Sequence, residues 1–361
     1  MTLGRFEILS ETRQLHVPIA TAWLVEELGE ARGRQELFAR QAPQKLNALR
    51  ESAIIESAIS SNRIEGVEIT ASRRSAVLTG RGRLRDRDEA EVRGYRDALR
   101  LIHEGPQALE VSEETVLHLH RLARADAGDA GEYKQRDNDI VERYADGRSR
   151  IRFRTVPARE TPAATRSLID VARRCRDGRW VPAVVAAAAF NLDFLCVHPF
   201  RDGNGRVSRL LFLLQAYQAG CNVGRYISLE RVIEESKERY YETLEISSQG
   251  WHEDQHDPWP YINYLLFTLR TAYAEFERRV GETAEPRGTK TIAILDAIHR
   301  MPSVFRAADV VRACPAVSLD MIRRVLKDEQ MRGGLECLGR GPQARWRKVN
   351  RAQLGNSHIN R

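Results

Sequence analysis

A run of twelve residues, HPFRDGNGRVSR from His198 to Arg209, combines the side chains that phosphate chemistry needs. Pro199 disfavours the α conformation at the residue before it, so the preceding helix must end at His198 and present the imidazole there. An imidazole at a helix end can take up a proton from a reacting hydroxyl group. His198 is therefore the candidate general base.

The glycines in the same run predict an anion site. Gly203, Asn204 and Gly205 allow a sharp turn whose backbone N–H groups point outward, and a helix is predicted to begin directly after it. The first N–H groups and the dipole of a helix favour a bound anion. This turn therefore predicts a cradle for phosphate.

Two arginines and one aspartate indicate that the anion is a polyphosphate. Arg206 and Arg209 are three residues apart, so they lie on one helix face beside the cradle. Two guanidinium groups suit several phosphates better than one. Asp202, at the lip of the turn, supplies a carboxylate of the kind that holds Mg²⁺ between phosphates. We therefore expect Mg²⁺ as the cofactor, with Asp202 as its ligand.

Helices are predicted to position these residues. The most apolar stretch, residues 184–197, is interrupted by Asn191 and Asp193 and is shorter than the roughly 18 residues of a membrane span, so it is typical of a buried core helix. The helix after the turn has an apolar face formed by Val207, Leu210, Leu211 and Leu214. Further helices are predicted at residues 45–63, 89–103, 112–125, 229–247 and 260–280.

One β-hairpin interrupts the helical pattern. Ile151 and Phe153 alternate with arginines, which is strand periodicity, and Asp146-Gly147 is a strong hairpin turn. An isolated hairpin is marginally stable, so it must lean on helices. The fold class predicted for most of the chain is therefore all-α, a helical bundle with one hairpin.

A second domain is predicted at the C-terminal end. Residues 281–288, GETAEPRG, are linker-like. Residues 289–350 read as three short helices followed by a two-stranded wing, which is a small α+β domain of the winged-helix type, and residues 351–361 form a tail. Arg323, Arg324 and Lys327 lie on its third helix. Such a domain docks DNA or protein, so a winged-helix DNA-binding regulator is one alternative function.

The run from His198 to Arg209 resembles the signature of the Fic family, HPFx[DE]GNGRxxR, at every position. The segment Gly131-Glu-Tyr-Lys134 is similar to the family's Gly-x-Tyr/Phe-Arg sequence. The resemblance implies a Fic catalytic core, a helical bundle with a β-hairpin flap, at residues 87–280. An N-terminal helical region, residues 1–86, precedes it.

The resemblance implies a Mg²⁺-dependent protein adenylyltransferase (AMPylator), which moves AMP from ATP to a Tyr, Thr or Ser hydroxyl of a target protein. His198 would be the general base, and its ordinary pKa near about 6.5 leaves a neutral fraction at pH 7. Asp202 would hold Mg²⁺ on the α- and β-phosphates, and the Gly203-Asn204-Gly205 segment would neutralise phosphate oxygens. Arg206 and Arg209 would hold the β- and γ-phosphates.

Further contacts also follow from the resemblance. Tyr240 and Tyr241 match aromatic positions near the adenine. The hairpin, residues 138–157, would pair with the backbone of the target protein as an added strand. Relatives often pair through their helical domain, so a homodimer is also an expectation.

An inhibitory element is predicted before the core. Ser61-Asn-Arg-Ile-Glu65-Gly66 resembles the family's inhibitory motif, [ST]xxxE[GN], on a helix at residues 45–66. Ser61 and Glu65 are four residues apart and share one helix face, and Gly66 can end the helix. Glu65 is then free to pair with Arg209, and an Arg209 occupied in this way cannot hold the γ-phosphate.

Other functions remain open. Glu65 could activate water for the reverse reaction, which removes AMP from a modified protein, and uridylyl or phosphoryl transfer would use the same residues. His252 and His256 match the HExxH signature of zinc proteases, but that signature requires a helix. Gly250, Pro258 and Pro260 predict a polar loop instead.

Composition adds little about the partner. The net charge is +7, which is a weak indication of nucleic-acid contact. The five cysteines are scattered without a CxxC pair, which argues against a disulfide framework or a structural zinc site. The N-terminal residues lack the apolar core of a signal peptide. We therefore expect a cytoplasmic protein without a membrane partner.

Overall fold

The computed structural model describes residues 6–10, 15–41, 43–79, 83–125, 127–143, 147–281, 289–314, 317–339 and 344–349. The chain is mostly helical (66%), as predicted. It forms two compact units, residues 1–280 and 281–361. Most of the predicted linker, residues 282–288, and the predicted tail, residues 351–361, lie outside the described residues. No helix in the described part of the chain combines the length and the apolar character that crossing a membrane requires.

The first unit contains most of the helices and one hairpin. Its elements are α1 (Ile19–Gln41), α2 (Pro43–Ile64), α3 (Ala71–Thr79), α4 (Arg87–Glu104), α5 (Glu113–Arg124), β1 (Ile140–Arg143), β2 (Ser149–Phe153), α6 (Thr161–Gly178), α7 (Ala183–Val197), α8 (Asn204–Gln218), α9 (Leu229–Glu235), α10 (Lys237–Ser248) and α11 (Trp259–Gly281). The helices predicted at residues 45–63, 89–103, 112–125 and 260–280 are α2, α4, α5 and α11, with ends shifted by one or two residues.

Helix α7 is the buried helix on which the site is built. Nearly all of its side chains are apolar and buried, and it packs against α6 and α8. Its two polar residues are satisfied inside the core, because Asn191 donates to the Ser208 carbonyl (2.6 Å) and Asp193 accepts from the Trp251 indole (2.8 Å). Burial raises the pKa of Asp193 well above its usual value. The prediction of a buried core helix is confirmed.

The helix predicted at residues 229–247 is in fact two helices, α9 and α10, so that prediction was wrong. Ser236 separates them with a non-helical backbone (φ −124°, ψ 35°). Its hydroxyl donates to the Val232 carbonyl (2.9 Å) and bonds to the Tyr264 hydroxyl (2.9 Å). A serine that bonds back to its own helix competes with helical continuation. The partner on α11 could not be read from periodicity.

The hairpin is antiparallel and places Val141 opposite Ile151. Both side chains are about half exposed, at 47% and 50%. The hairpin contacts the helical bundle through an ion pair between Arg150 and Glu245 (2.8 Å), which helps to stabilise it. The predicted turn residue Asp146 lies outside the described residues, whereas Gly147 has the positive φ (84°) that such a turn requires.

In the part that the structure describes, the second unit has three helices and a three-stranded antiparallel sheet. Its elements are α12 (Thr289–Arg300), β3 (Val304–Arg306), α13 (Ala307–Ala313), α14 (Leu319–Met331), β4 (Leu335–Leu338) and β5 (Arg345–Lys348), and the strand order is β3-β5-β4. A separate apolar core holds it together, formed by Ile294, Ile298, Phe305, Val310, Ile322, Val325, Leu326 and Leu335. Strand β3 was not predicted, because three residues are too few to show a period.

Candidate active site

His198 lies at the C-terminal end of α7 in the left-handed conformation (φ 52°, ψ 62°). Its Nδ1 is 3.2 Å from the Leu195 carbonyl oxygen. A carbonyl oxygen only accepts, so Nδ1 carries the hydrogen and Nε2 keeps a lone pair. Burial, together with the nearby Lys134 cation, lowers the pKa of His198 from 6.5 to about 4. The imidazole is therefore neutral at pH 7, more completely than its ordinary pKa would give.

A second histidine, which the sequence analysis did not identify, holds the loop after His198. The His120 ring stacks on Phe200, with centroids 3.7 Å apart. Its Nδ1 accepts from the Gly131 N–H (2.9 Å), so Nε2 carries the hydrogen and donates to the Asp202 carbonyl (3.0 Å). Burial lowers the pKa of His120 to about 4. Both ring nitrogens are thus used to position the loop.

Asn204 closes the same loop. Its Oδ1 accepts from the Phe200 N–H (2.9 Å) and its Nδ2 donates to the Phe200 carbonyl (2.7 Å). Asn138, at the base of the hairpin, donates to the carbonyls of Phe200 and Arg201 (3.1 Å each). The Asn204 side chain is therefore engaged within the loop. The side chain of Asn204 is therefore not available to phosphate, and the phosphate contact predicted for this residue can be made only by its backbone N–H group.

The N-terminus of α8 is open to an anion. Gly203 precedes the helix with φ 83°, and among the described residues no side chain caps the first N–H groups. Gly205 lies in the first turn, and a Cβ added there would lie 2.2 Å from Glu65 Oε1. The absence of a side chain at position 205 thus lets a carboxylate reach the helix N-terminus. In this structure the Glu65 carboxylate lies where the sequence predicts phosphate.

Glu65 also pairs with Arg209. Helix α2 ends at Ile64, and Gly66 turns the chain with φ 82°. Arg209 Nη2 donates to Glu65 Oε1 and to the Ser61 carbonyl, and its Nε donates to the Ser61 hydroxyl, all at 2.9 Å. Burial by itself would lower the pKa of Arg209, but the Glu65 carboxylate raises it above the usual range. The pairing predicted between Glu65 and Arg209 is present.

One atom of Arg209 is left without a partner. Its Nη1 is buried and has no hydrogen bond within the described part of the chain. It would lie 3.2 Å from a Cβ placed on Gly205, which puts it beside the N-terminus of α8. A buried N–H group without an acceptor is costly. A phosphate oxygen at the helix N-terminus has the charge and the location that this group requires.

Arg206 has a different environment. Its side chain is 1% exposed, and Nη1 donates to Glu91 Oε2 (2.6 Å) and to Asn62 Oδ1 (3.3 Å). The other Glu91 oxygen accepts from Arg124 Nη1 (2.6 Å). Glu91 therefore joins two buried arginines, and Arg206 ties α8 to α2 and α4. The phosphate contact predicted for Arg206 remains a prediction.

Asp202 is half exposed (52%) and faces arginines. Its Oδ2 accepts from Arg124 Nη1 (2.7 Å) and Arg87 Nη2 (3.4 Å), and its Oδ1 accepts from the Gly203 N–H (2.6 Å). It lines a cavity of about 760 Å³ on its side of the loop. Among the described residues no three His, Cys, Asp or Glu side chains converge on one point. Mg²⁺ commonly takes one or two carboxylates and completes its ligands with phosphates and water, so Asp202 fits that donor set.

A second cavity, of about 410 Å³, connects His198 with the N-terminus of α8. His198, Glu65 and Gly205 line one part of it. The remaining wall is formed by Asn138, Asp139, Ile140, Arg152, Phe153, Leu195, Cys196, Arg201, Tyr240, Tyr241, Leu244 and Ser248. The Arg152 guanidinium carbon lies 5.7 Å from the centroid of the Tyr241 ring. The volume is within the range of ligand pockets, and the predicted tyrosines line it.

The HExxH segment has no helical face. A single 3₁₀ turn, Trp251–Glu253, is followed by Asp254 with φ 59°. His252 Nε2 lies 2.7 Å from the Arg154 carbonyl, and its ring stacks on Phe153. His252 therefore supports the hairpin, and it does not share a helix face with His256.

The residues that sequence reasoning missed share one signal. His120 and Arg124 are four residues apart on the buried face of α5, beside Val116 and Ala123. Polar side chains on an apolar helix face need partners inside the protein. Glu91 on α4 is a similar case, since it is 1% exposed. The pattern indicated that these groups have partners, but it could not name them.

Part of the chain is similar to known proteins. Residues 110–216 match the family model described as Fic/DOC family. A Fic family protein from Desulfovibrio desulfuricans has a TM-score of 0.61 at 24% identity, over 94% of this chain and 98% of that one. A Fic domain containing signaling protein from Bacteroides thetaiotaomicron has a TM-score of 0.58 at 22% identity, over 72% and 98%. Fic-1 from C. elegans has a TM-score of 0.56 at 21% identity, over 73% and 74%.

Residues 110–216 therefore match a Fic domain, and the fold is similar to that of Fic proteins, so the predicted resemblance is confirmed. Members of this domain family commonly transfer nucleoside monophosphates to proteins and generally use ATP with a divalent metal. The matched residues include His198, Arg209, His120 and Arg124. Glu65 and the second unit lie outside the matched range.

Proposed function

We propose that the chain is a Mg²⁺-dependent protein adenylyltransferase, which moves AMP from ATP to a hydroxyl group of a target protein and is inhibited by its own Glu65. The observation that carries the proposal is a single cavity that holds a neutral His198 and the open N-terminus of α8. The unpartnered Arg209 Nη1 lies beside that helix end. A base and an anion site so placed suit an attack on a nucleotide phosphate.

The bonds and protons of the transfer step are all accounted for by ATP, the target hydroxyl and His198. The oxygen of the target hydroxyl forms a bond to the α-phosphorus of ATP while the bond from that phosphorus to pyrophosphate breaks. His198 Nε2 takes the hydroxyl proton, and pyrophosphate leaves with its negative charge. The hydrogen bond from Nδ1 to the Leu195 carbonyl holds the imidazole in the tautomer that this step needs. Bound phosphates would raise the pKa of His198 towards its ordinary value, which strengthens the base when the substrate is present.

The phosphates would be held mainly by α8. Its first N–H groups and Arg209 Nη1 offer donors in a buried setting, where such contacts are stronger than in water. Asp202 would hold Mg²⁺, which supplies charge neutralisation on the phosphates. Tyr241 and Ser248 line the part of the cavity that would receive the adenine ring of ATP.

Inhibition follows from the place of Glu65. Its carboxylate takes the Arg209 guanidinium and lies against Gly205, so a phosphate at the same place would meet both a steric and a like-charge conflict. The Glu65 side chain keeps 28% of its exposure at the end of α2. Its displacement therefore does not require the core to open.

The hairpin is proposed to hold the target. Val141 and Ile151 are exposed apolar side chains on a two-stranded sheet. An extended peptide can add to such an edge through backbone hydrogen bonds. Asn138, at the base of β1, contacts the loop after His198, so a strand added there would lie near the base.

The test compares Glu65→Gly with wild type in a lysate and alone, with ATP labelled on the α-phosphate. We expect about a tenfold or larger rise in label transfer to protein, because the variant removes the competing ion pair together with the steric and like-charge conflict at Gly205. Glu65→Gly combined with His198→Ala should transfer no label. Glu68→Gly is the matched control, because Glu68 is exposed and has no ion pair in the described part of the chain. Equal labelling by wild type and Glu65→Gly would remove the inhibitory role.

A second candidate is the reverse reaction, because the Glu65 carboxylate lines the same cavity as His198 and could activate water. A target labelled by the Glu65→Gly variant would be repurified and incubated with wild type and with Glu65→Gln. Release of labelled AMP by wild type alone would favour the hydrolase. Parallel reactions with labelled UTP and GTP determine the donor.

A further inference from the structure

The charge of the chain is unevenly distributed. Residues 281–361 contain 15 Lys and Arg against 8 Asp and Glu, which equals the whole net charge of +7. Residues 1–280 are therefore balanced. The proposed catalytic function uses only the first unit, so it does not explain this excess. A concentrated positive charge on a small unit favours an anionic partner.

Helix α14 carries three of these cations together with three acidic residues, Asp320, Asp328 and Glu329, so its net charge is zero. Most of the excess comes from residues 332–361, which contain 7 Lys and Arg against 1 acidic residue.

The apolar residues of α14, Ile322, Val325 and Leu326, are buried in the core of the second unit. The opposite face is exposed and carries Arg323, Arg324 and Lys327. The positions 323, 324 and 327 follow helical spacing, so the three cations share one face. The helix begins with a serine cap and runs for 13 residues, which is long enough to lie in a groove.

Several of these cations are not neutralised. Within the described residues, Arg323 lies 3.6 Å from Asp320, whereas Arg324, Lys327 and the exposed Arg345 on β5 have no carboxylate at ion-pair distance. By contrast, Arg300 and Arg312 each pair with an aspartate on their own helix, Asp296 and Asp309. The unpaired cations are therefore available to an external anion. The paired ones provide a matched control in the same unit.

We propose that the second unit binds double-stranded DNA, with α14 in the major groove and the β5 arginines on the phosphate backbone. The major groove admits one α-helix, and a helix pair such as α13 and α14 with the second helix exposed is a common way to present one. Between its ends α14 exposes polar and charged side chains, whereas a protein-docking face has apolar anchors at its centre. Exposed Arg345 on β5 extends the positive surface beyond the helix, while Arg347 on the same strand lies 3.5 Å from Glu336.

The test uses the full-length protein and a fluorescently labelled random-sequence duplex of about 24 base pairs, by anisotropy, between about 50 and 200 mM salt. We expect binding whose logarithm falls linearly with the logarithm of salt concentration. Arg324→Gln with Lys327→Gln should reduce that slope by about two, about one for each cation that no longer neutralises a phosphate. Arg300→Gln with Arg312→Gln removes the same charge and should stay close to wild type.

Three results would overturn the proposal: no binding at about 50 mM salt, equal weakening in both double variants, or tighter binding to an acidic protein segment than to duplex. Circular dichroism melting checks that each variant is folded. If the α14 variant unfolds, Arg345→Gln gives the same readout from β5. Label transfer by the α14 variant in the Glu65→Gly background should be unchanged, so failure of DNA binding and failure of the adenylyl transfer proposal are distinguishable.

Discussion

Arg206 and Arg209 are neighbours on one helix, and each pairs with a glutamate from a distant part of the chain, yet the two pairs differ. Arg206 and Glu91 are both almost fully buried, at 1% and 2% side-chain exposure. In the other pair Arg209 is 4% exposed, but Glu65 keeps 28%. Glu91 joins Arg206 and Arg124 through its two oxygens, whereas Glu65 binds Arg209 through Oε1.

This difference separates a structural pair from an exchangeable one. Removal of a buried partner leaves an uncompensated charge in the core, so Glu91 cannot leave without a large cost. Glu65 can move into solvent, and a phosphate can then take its place on Arg209. The same contrast holds for the histidines. Both ring nitrogens of His120 are hydrogen-bonded, whereas for His198 the described residues provide a partner for Nδ1 alone.

The largest expected effect is on stability. Glu91→Ala leaves Arg206 and Arg124 without their shared carboxylate, so we expect a loss of about 3–5 kcal/mol in the free energy of unfolding. Glu65→Ala should cost about 1 kcal/mol or less, because its carboxylate is partly solvated. Urea unfolding at pH 7 measures both. Similar losses for the two variants would break the distinction between the pairs.

The pH dependence of the free energy of unfolding tests whether the buried histidines stay neutral in the folded protein. Burial lowers the pKa of His103 to about 3 and those of His120 and His198 to about 4. The unfolded chain binds protons below about pH 6.5 while these folded histidines stay neutral, so stability is lost as the pH falls from about 6.5 towards 4. Each should cost on the order of 2 kcal/mol by pH 4.5.

In the His120→Gln variant, the loss of stability between pH 7 and pH 4.5 should be smaller by the contribution of one histidine. Urea unfolding at pH 7 and at pH 4.5 gives the difference for wild type and variant. A variant with the same pH dependence as wild type would mean that His120 does not stay neutral in the folded protein.

The smallest effect concerns Gly205. A methyl group there would meet Glu65 Oε1, so Gly205→Ala should destabilise wild type by displacing that carboxylate. In the Glu65→Gly background the same change should be neutral or stabilising, since alanine is the better helix former by about 1 kcal/mol. The double-mutant cycle should therefore show a coupling of about 0.5–1 kcal/mol. Additive effects would mean that Glu65 does not lie against the helix N-terminus.

Much of the site could be predicted because its signals are local. The run from His198 to Arg209 contains the base, the turn and the helix start within a few residues, and each is determined by backbone preferences of proline and glycine. The contact between Glu65 and Arg209 was also predicted, although it required the resemblance to a known inhibitory motif. Ser61 and Glu65 share a helix face through spacing alone.

The sequence by itself determined which groups are present, the order of most of the helices and of the hairpin, and the apolar face of α8 that is buried. Only the tertiary structure decided that Glu91 holds Arg206, that the Asn204 side chain closes the loop, and that Ser236 divides a helix against Tyr264. The reason is physical. Periodicity reports that a side chain points inward, but its partner depends on how helices far apart in sequence pack, and charge pairing in a buried setting depends on distances of a few ångströms.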